Sequence, residues 1–303
     1  MTKDKRKQII DIVTQREKLR QLPRLQRLFA DPARALPYYL LALRARIVPF
    51  PKSFDTLWDT RMTCYLPEGN TFLYYGYCEA NLTNFFLRYV KEGMTCVDVG
   101  AHVGIYSMLF SELVGETGVV HSFEPTPWTF KILTSNTESL HNVEANNIAV
   151  AETKRTLQFA DYGPGYGAYN SAHKAGAPAL SSTPTMREIQ SVALDTYCTE
   201  KNIAPDIIKI DSEGFEFEVL SGSSMLLSKK ENRPLLTIEV ANGTDWSENR
   251  ESAFALLKES QYSAYAITTE GRLTPQTKDQ SYEYDNLLFV PIERLDTITS
   301  LII

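Results

Sequence analysis

The chain is poor in the residues that staple or metallate small domains. It has four cysteines, Cys64, Cys78, Cys96 and Cys198, and four histidines in 303 residues. No two cysteines form a C-x-x-C pair and no Cys/His group has zinc spacing, which excludes a zinc ribbon and a disulfide scaffold. The thiols are expected to be reduced, with Cys96 packed in an apolar strand. Long apolar runs are also missing. The most apolar early stretch, 36–50, is interrupted by Pro37, Arg44, Arg46 and Pro49 and is too short and too charged to span a bilayer. The basic start is not followed by the apolar core of a secretory leader, so the expected location is cytoplasmic. Internal repeats and heptads are absent, and so is the G-x-G-x-x-G fingerprint of a dinucleotide site.

What is present is an ordinary globular composition, 43% apolar and 22% charged, on a chain long enough for one large domain or a domain with an appendage. The net charge of −6 argues against a nucleic-acid partner. It also hides an asymmetry: residues 1–52 carry thirteen Lys and Arg against four Asp and Glu, a net +9, leaving −15 for the rest. Such a basic arm suits a helical lid or dimerisation element, a peripheral membrane contact, or the recruitment of an acidic substrate.

The pattern divides the chain into a basic helical extension (1–54), a hairpin-plus-helix segment (55–93) and a catalytic domain (94–303). Residues 3–30 read as helix. Met62–Leu66 and Thr71–Tyr77, with Pro67-Glu68-Gly69-Asn70 as turn, read as a β-hairpin, and 81–91 as helix. From Met94 the order is strand, glycine turn, helix, repeated. Strands are expected at 95–99, 119–123, 143–151, 156–159, 207–210, 235–240, 262–267 and 286–290. Helices are expected at 105–114, 128–140, 215–228 and 251–260. Alternation of this kind implies βαβ units and a parallel sheet. Residues 161–190, rich in glycine, tyrosine, serine and proline, interrupt it and read as a long active-site loop.

The sharpest signal is Val97-Asp98-Val99-Gly100-Ala101-His102-Val103-Gly104: an acid ends an apolar strand, and a glycine turn opens a helix. Glycine allows close approach of a ligand to the backbone, but an acid at the strand end would repel a pyrophosphate. A cationic ligand with an amino group fits better. Phe123-Glu124-Pro125 ends the next strand, and an acid there can accept both hydroxyls of a ribose.

These segments, with NNIAV (146–150), DIIKIDSEGFEFEVLSG (206–222) and NLLFVP (286–291), resemble the FkbM-type methyltransferases over roughly residues 65–290. The resemblance implies a class I methyltransferase, Rossmann-like fold: a seven-stranded sheet, six strands parallel and the last antiparallel. It also implies S-adenosylmethionine as cofactor. Asp98, Gly100, Ala101, His102 and Gly104 would then meet its amino-acid end. Glu124, with Pro125 beside it, would hold the ribose, and 147–150, including Asn147 and Ala149, would border the adenine.

Ile210-Asp211-Ser212-Glu213 ends a further strand on the same sheet edge, so Asp211 joins the expected cofactor set. Methyl transfer needs an aligned acceptor and, for a hydroxyl, a base. Glu213 is the first candidate and Asp211 the second, with His102 a third that reads more readily as a polar wall. A divalent cation such as Mg2+ on Asp211 is an alternative that the sequence does not favour, and no metal ligand set is assigned. For the acceptor, Tyr77, Glu79, Tyr166, Tyr169, Asn170, Ser171 and His173 are the expected contacts. The family points to O-methylation of a small hydroxylated acceptor such as a sugar, a glycan or a glycosylated natural product. N-methylation on the same fold, and a non-catalytic scaffold, are the competing readings.

Overall fold

The computed structural model describes residues 1–167, 170, 183–241, 247–276 and 284–303. The chain opens with three helices, α1 (Lys3–Arg20), α2 (Arg24–Ala30) and α3 (Pro32–Ala45), followed by strands β1 (Phe50–Asp55) and β2 (Arg61–Leu66) and helices α4 (Asn70–Tyr75) and α5 (Ala80–Tyr89). The alternating part runs β3 (Thr95–Val99), α6 (Ile105–Val114), β4 (Val119–Phe123), α7 (Pro127–Thr137), β5 (Val143–Asn146), β6 (Ala149–Val150), β7 (Thr156–Asp161) and β8 (Thr185–Val192). It continues through α8 (Leu194–Lys201), β9 (Ile207–Ile210), α9 (Glu216–Ser221), α10 (Ser224–Ser228), β10 (Leu235–Ala241), α11 (Ser247–Glu259), β11 (Tyr262–Ile267), β12 (Leu273–Pro275) and β13 (Tyr284–Pro291).

The main sheet has eight strands in the order β12-β11-β13-β10-β9-β3-β4-β5. Strands β5, β4, β3, β9 and β10 are mutually parallel, and β13 runs antiparallel between β10 and β11. This is the expected seven-stranded class I methyltransferase order, with the last strand reversed, plus one short edge strand, β12, that the sequence does not announce. A separate sheet in the order β6-β8-β7 stands beside it. The strand order reverses at β3, whose neighbours are β4 and β9, and in open sheets ligands bind at the carboxyl ends of strands at such a point.

Side chains alternate across the sheet, and the two faces have separate cores. On one face Cys96, Ile207 and Leu235 join α1, α5 and α6. On the other, Val97, Val99, Ile208, Ile210, Leu236 and Ile238 meet α8, α9 and α11. Helix α6 is apolar nearly all round because it lies between the sheet and α5 and buries nine of its ten residues.

Several expectations need correction. The hairpin is β1–β2, pairing Phe50 with Leu66, so it starts inside the expected extension, and Thr71–Tyr77 is not its second strand. That segment forms α4, because its aromatics Phe72, Tyr74 and Tyr75 bury on one side of a single turn closed by left-handed Gly76, and this packing overrides their strand propensity. The expected strand 143–151 breaks into β5 and β6, which lie in different sheets, and the expected helix 215–228 breaks at Gly222 into α9 and α10. The far end of the 161–190 loop is strand, β8. Among the described residues no helix is long and apolar enough to cross a membrane.

The basic extension is docked rather than loose. Ile9 and Val13 of α1 are buried in the same core as α5 and α6. Arg6 explains part of the positive charge: its guanidinium donates to the carbonyls of Leu87 and Val90 at the end of α5 and of Leu113 at the end of α6. Those carbonyls have no partner within their own helices and carry the negative pole of the dipole. Arg6→Ala should therefore lower stability by about 1–3 kcal/mol, the scale of hydrogen bonds to a charged group, in urea unfolding, whereas Lys3→Ala should change it little. Equal, negligible effects would mean that α1 is not anchored through this residue.

Candidate active site

A cavity of about 360 Å³ opens at the carboxyl ends of β3, β4 and β9, within the size range of small-molecule sites. The glycine turn after β3 forms its floor. Gly100 has φ +75°, and a Cβ there would lie 1.7 Å from the Asp211 carbonyl oxygen, so the turn can approach the end of β9 only with glycine. His102 also takes a left-handed conformation, φ +52°.

Glu124 lies in the cavity wall with one carboxylate oxygen accepting from the Thr126 N–H at 2.8 Å and the other from the His102 N–H at 3.1 Å. Two backbone donors fix the carboxylate and leave a lone pair on each oxygen for a ligand diol. Pro125, Gly100, Ala101, His102, Ala149 and Asp211 also line the cavity, as expected. One end is apolar: Ile148, Ala149, Val150, Leu157, Phe159 and Phe215 meet there.

Other expected cofactor residues lie elsewhere. Asp98 is fully buried below the turn and is not part of the cavity lining. It accepts from Ser107 Oγ at 2.7 Å, and Ser122 Oγ in turn donates to Ser107 at 2.8 Å. Gly104 opens α6 against Leu133, behind the lining. Asn147 is outside the lining; its amide donates to the carbonyls of Glu124 and Pro125 at 2.9 and 3.0 Å and ties the β5–β6 corner to the end of β4.

The opposite end is rich in carboxylates and contains residues that sequence reasoning missed. Lys209, only 2% exposed, donates to Asp211 at 3.0 Å and lies 3.6 Å from Asp98. Burial opposes its charge, but Asp211, Asp98 and Glu79 together raise its pKa above the ordinary lysine value. Asp211 is likewise opposed by burial, yet Lys209 and a hydrogen bond from Glu239 hold it below the usual carboxylate range. Glu239 on β10 was invisible in the sequence because only the strand register shows that it joins Asp211 and Glu213. Carboxylate oxygens of these three lie within 4.8 Å of one another. A hard cation could use such a set, and the Lys209 ammonium already sits against one member, Asp211, at 3.0 Å.

Glu213 sits in this end of the cavity, and burial, then Asp211 and Glu216, push its pKa to about 8. Glu216 accepts from the N–H of Ser212 at 3.0 Å and of Gly214 at 3.2 Å and fixes the loop that carries Glu213. His102 pairs with Glu68 at 2.7 Å. Burial opposes its charge, but Glu68, then Glu124 and Asp211, raise its pKa to about 9. This pairing favours the imidazolium near neutral pH.

Of the expected acceptor residues, Glu79 and Asn170 line the cavity. Glu79 accepts from Tyr106 OH at 3.0 Å and from Asn286, and burial raises its pKa. Asn170 bridges the Tyr162 N–H and Thr126. Tyr77 is core instead, its hydroxyl bonded to Glu17 of α1 at 2.9 Å, because α1 covers it. Tyr166 is outside the lining, its N–H closing a tight turn onto Gly163. Tyr169, Ser171 and His173 lie outside the described residues. Arg20 of α1 also lines the cavity, which gives the basic extension a place in the site.

The sheet order and the glycine turn define a class I methyltransferase. The Methyltransferase FkbM domain model matches residues 98–264, and the chain belongs to that family. A curated relative, hexuronic acid methyltransferase AglP of Haloferax volcanii, is 25% identical over 169 residues. These make up 55% of this chain and 64% of the relative, so the chain spans less than two thirds of that protein's length. Among solved structures, an O-methyltransferase of Bacillus cereus in complex with S-adenosylhomocysteine aligns at 12% identity and a TM-score of 0.39, covering 69% of this chain and 78% of that one. Aeropyrum pernix fibrillarin with natively bound S-adenosylmethionine aligns at 11% identity and a TM-score of 0.39, covering 70% and 75%.

Two outcomes follow from the electrostatics. Lys209→Met leaves buried carboxylates without their counter-charge and should cost roughly 3–5 kcal/mol in denaturant unfolding; an unchanged midpoint would remove Lys209 from this role. A sulfonium next to a carboxyl with a pKa of about 8 lowers that pKa. Binding of S-adenosylmethionine at pH 7.5 should thus release protons, and affinity should rise with pH up to about 8. Calorimetry in buffers of different ionisation enthalpy reads this directly. S-adenosylhomocysteine, which lacks the sulfonium charge, and Glu213→Gln should both abolish most of the release; release that persists in the variant would exclude Glu213 as its source.

Proposed function

We propose that this methyltransferase O-methylates a hydroxyl of a sugar-like acceptor, with Glu213 as general base. The observation that carries the reading is the division of the cavity into an apolar end, around Phe159 and Phe215, and an end built from Glu79, Asp211, Glu213 and Glu239. Carboxyl groups offer more acceptor than donor sites whatever their protonation, so the acidic end favours a ligand rich in donors, as a polyol is. The same acids disfavour an amine acceptor, because nearby negative charge holds it as an ammonium without the lone pair it needs. The name of the Haloferax relative specifies a hexuronic acid. Arg20 at the cavity wall offers a cation for the carboxylate of such an acceptor.

Bound S-adenosylmethionine supplies an electrophilic methyl on sulfur. Glu124 would hold the ribose through its two fixed oxygens. Glu213 takes the hydroxyl proton as the new oxygen–carbon bond forms and the carbon–sulfur bond breaks. Asp211 is the weaker candidate, since its carboxylate is already engaged by Lys209 and Glu239.

Titration with S-adenosylhomocysteine, with NAD as control, tests the cofactor. Transfer of labelled methyl to aryl glucuronides, aryl glucosides and amino sugars, with and without magnesium, tests the acceptor class. Label on a sugar hydroxyl supports the reading, and label confined to an amine overturns it. Glu124→Ala should weaken cofactor binding by about 1–3 kcal/mol. Glu213→Gln should collapse turnover with cofactor affinity retained, and near-normal turnover would exclude it as the base.

A further inference from the structure

Helices α2 and α3 carry an apolar face that none of the described residues covers. Helix α2 buries no residue, and α3 buries only Ala35 and Ala45. Leu25, Phe29, Leu36, Leu40, Leu43 and Ile47 are each 54–83% exposed. With Val48 they make seven of the thirteen large apolar residues exposed among the described residues, so the exposure is concentrated rather than scattered. Positions 36, 40 and 43 of α3 follow helical spacing and fall on one face, and Ile47 follows in the turn after the helix.

The surroundings of this face are cationic. No Asp or Glu occurs between Asp31 and Asp55, while Arg34, Arg44, Arg46 and Lys52 do. Beside it lies a second cavity, of about 560 Å³, lined by Arg24, Arg27, Arg46, Tyr38 and Tyr39, with Leu43 at its edge and no carboxylate in its wall. Arg27 is held there by Tyr75 OH at 2.9 Å and the Leu22 carbonyl at 3.1 Å, and its buried Nε has no hydrogen-bond partner. Three guanidiniums around one hollow form a receptor for a phosphate.

We propose that α2 and α3 dock on an anionic phospholipid membrane, the leucine stripe entering the interface and a headgroup phosphate entering the arginine cavity. Apolar residues flanked by arginines are what an interfacial helix needs, and each cation near an anionic surface adds to the attraction. A soluble anion would account for the arginines but not for the exposed Phe29, Leu40 and Ile47. A second copy of the chain would account for the leucines, but a two-fold contact would set the basic patch against itself. Pro67 and Asn70 line the arginine cavity while Glu68 and Thr71 line the cofactor cavity, so one stretch of chain separates the two.

The test is sedimentation of the full chain with vesicles of phosphatidylglycerol mixed into phosphatidylcholine, against phosphatidylcholine alone, at low and high salt. The expected result is binding to the anionic vesicles, weakened by salt and at least tenfold weaker on the neutral ones. Leu40→Asp with Ile47→Asp should abolish it. Arg24→Ala and Arg46→Ala should each weaken it about fivefold, with S-adenosylhomocysteine affinity unchanged in every variant. Failure of the unaltered protein to sediment with anionic vesicles would overturn the proposal, as would variants that bind equally well. So would a dimer in sedimentation velocity that Leu40→Asp dissolves, or binding of inorganic phosphate without vesicle binding.

Discussion

The Lys209 ammonium is the constraint around which the site is built. It is one buried cation among Asp98, Asp211 and Glu79, and each carboxylate would cost several kcal/mol to desolvate unpaired. Strand register places it there: Asp98 pairs with Lys209 across β3–β9, and Ser122 pairs with Asp98 across β3–β4. Because alternate side chains share a face, all three point toward the α5–α6 side of the sheet, where Ser107 and Tyr106 meet them. The chain of bonds continues from Tyr106 to Glu79, and from Glu79 to Asn286 on β13. One charge therefore links the central strands, the helix after the glycine turn, the start of α5 and the reversed last strand.

Local chemistry in the sequence made much of this legible. The strand–glycine–helix unit at 95–114 reads directly because period, breaker and acid are contiguous. Glu124 was found for the same reason, since a strand end and a proline mark it. Residues whose roles depend on register were not legible. Lys209 sits in an apolar strand and reads as an interruption, while Glu239 reads as one acid in a strand; only the pairing of β9 with β10 brings it to Asp211. Asp98 was read at the right strand end but assigned to the wrong layer, because a sequence shows where a side chain leaves the sheet but not what already fills its hydrogen bonds. Tyr77 and the 71–77 segment failed in the opposite direction. Aromatic density there reflects burial beneath α1, a helix 60 residues earlier, since the Tyr77 hydroxyl bonds to Glu17.

The protonation pattern of the cavity suits the charge of its cofactor. Without ligand, the acids cannot all be ionised at this spacing. The cavity therefore favours Glu213 as the neutral acid, holds Asp211 ionised against Lys209, and keeps His102 charged against Glu68. Arrival of a sulfonium replaces protons as the source of positive charge. On the proposed reading, the same event would convert Glu213 into the form that can accept a proton from a hydroxyl, and cofactor binding would activate the base.

The basic extension divides in the same way between charges that are used and charges that are not. Arg6 and Arg16 point inward to backbone carbonyls of α5, α6 and α4, so they belong to the fold. Arg20 reaches the cofactor cavity. Arg24 and Arg46 line a hollow whose wall holds no carboxylate, next to leucines that face water. A net charge of +9 on residues 1–52 could not by itself distinguish a structural arm from a docking one. The distinction lies in where each guanidinium finds its acceptors. Those on α1 find them within the chain, whereas Arg24 and Arg46, beyond it, line a hollow that offers no carboxylate. An acceptor outside the chain would complete it, and an anionic lipid headgroup is the one that also accounts for the apolar stripe alongside.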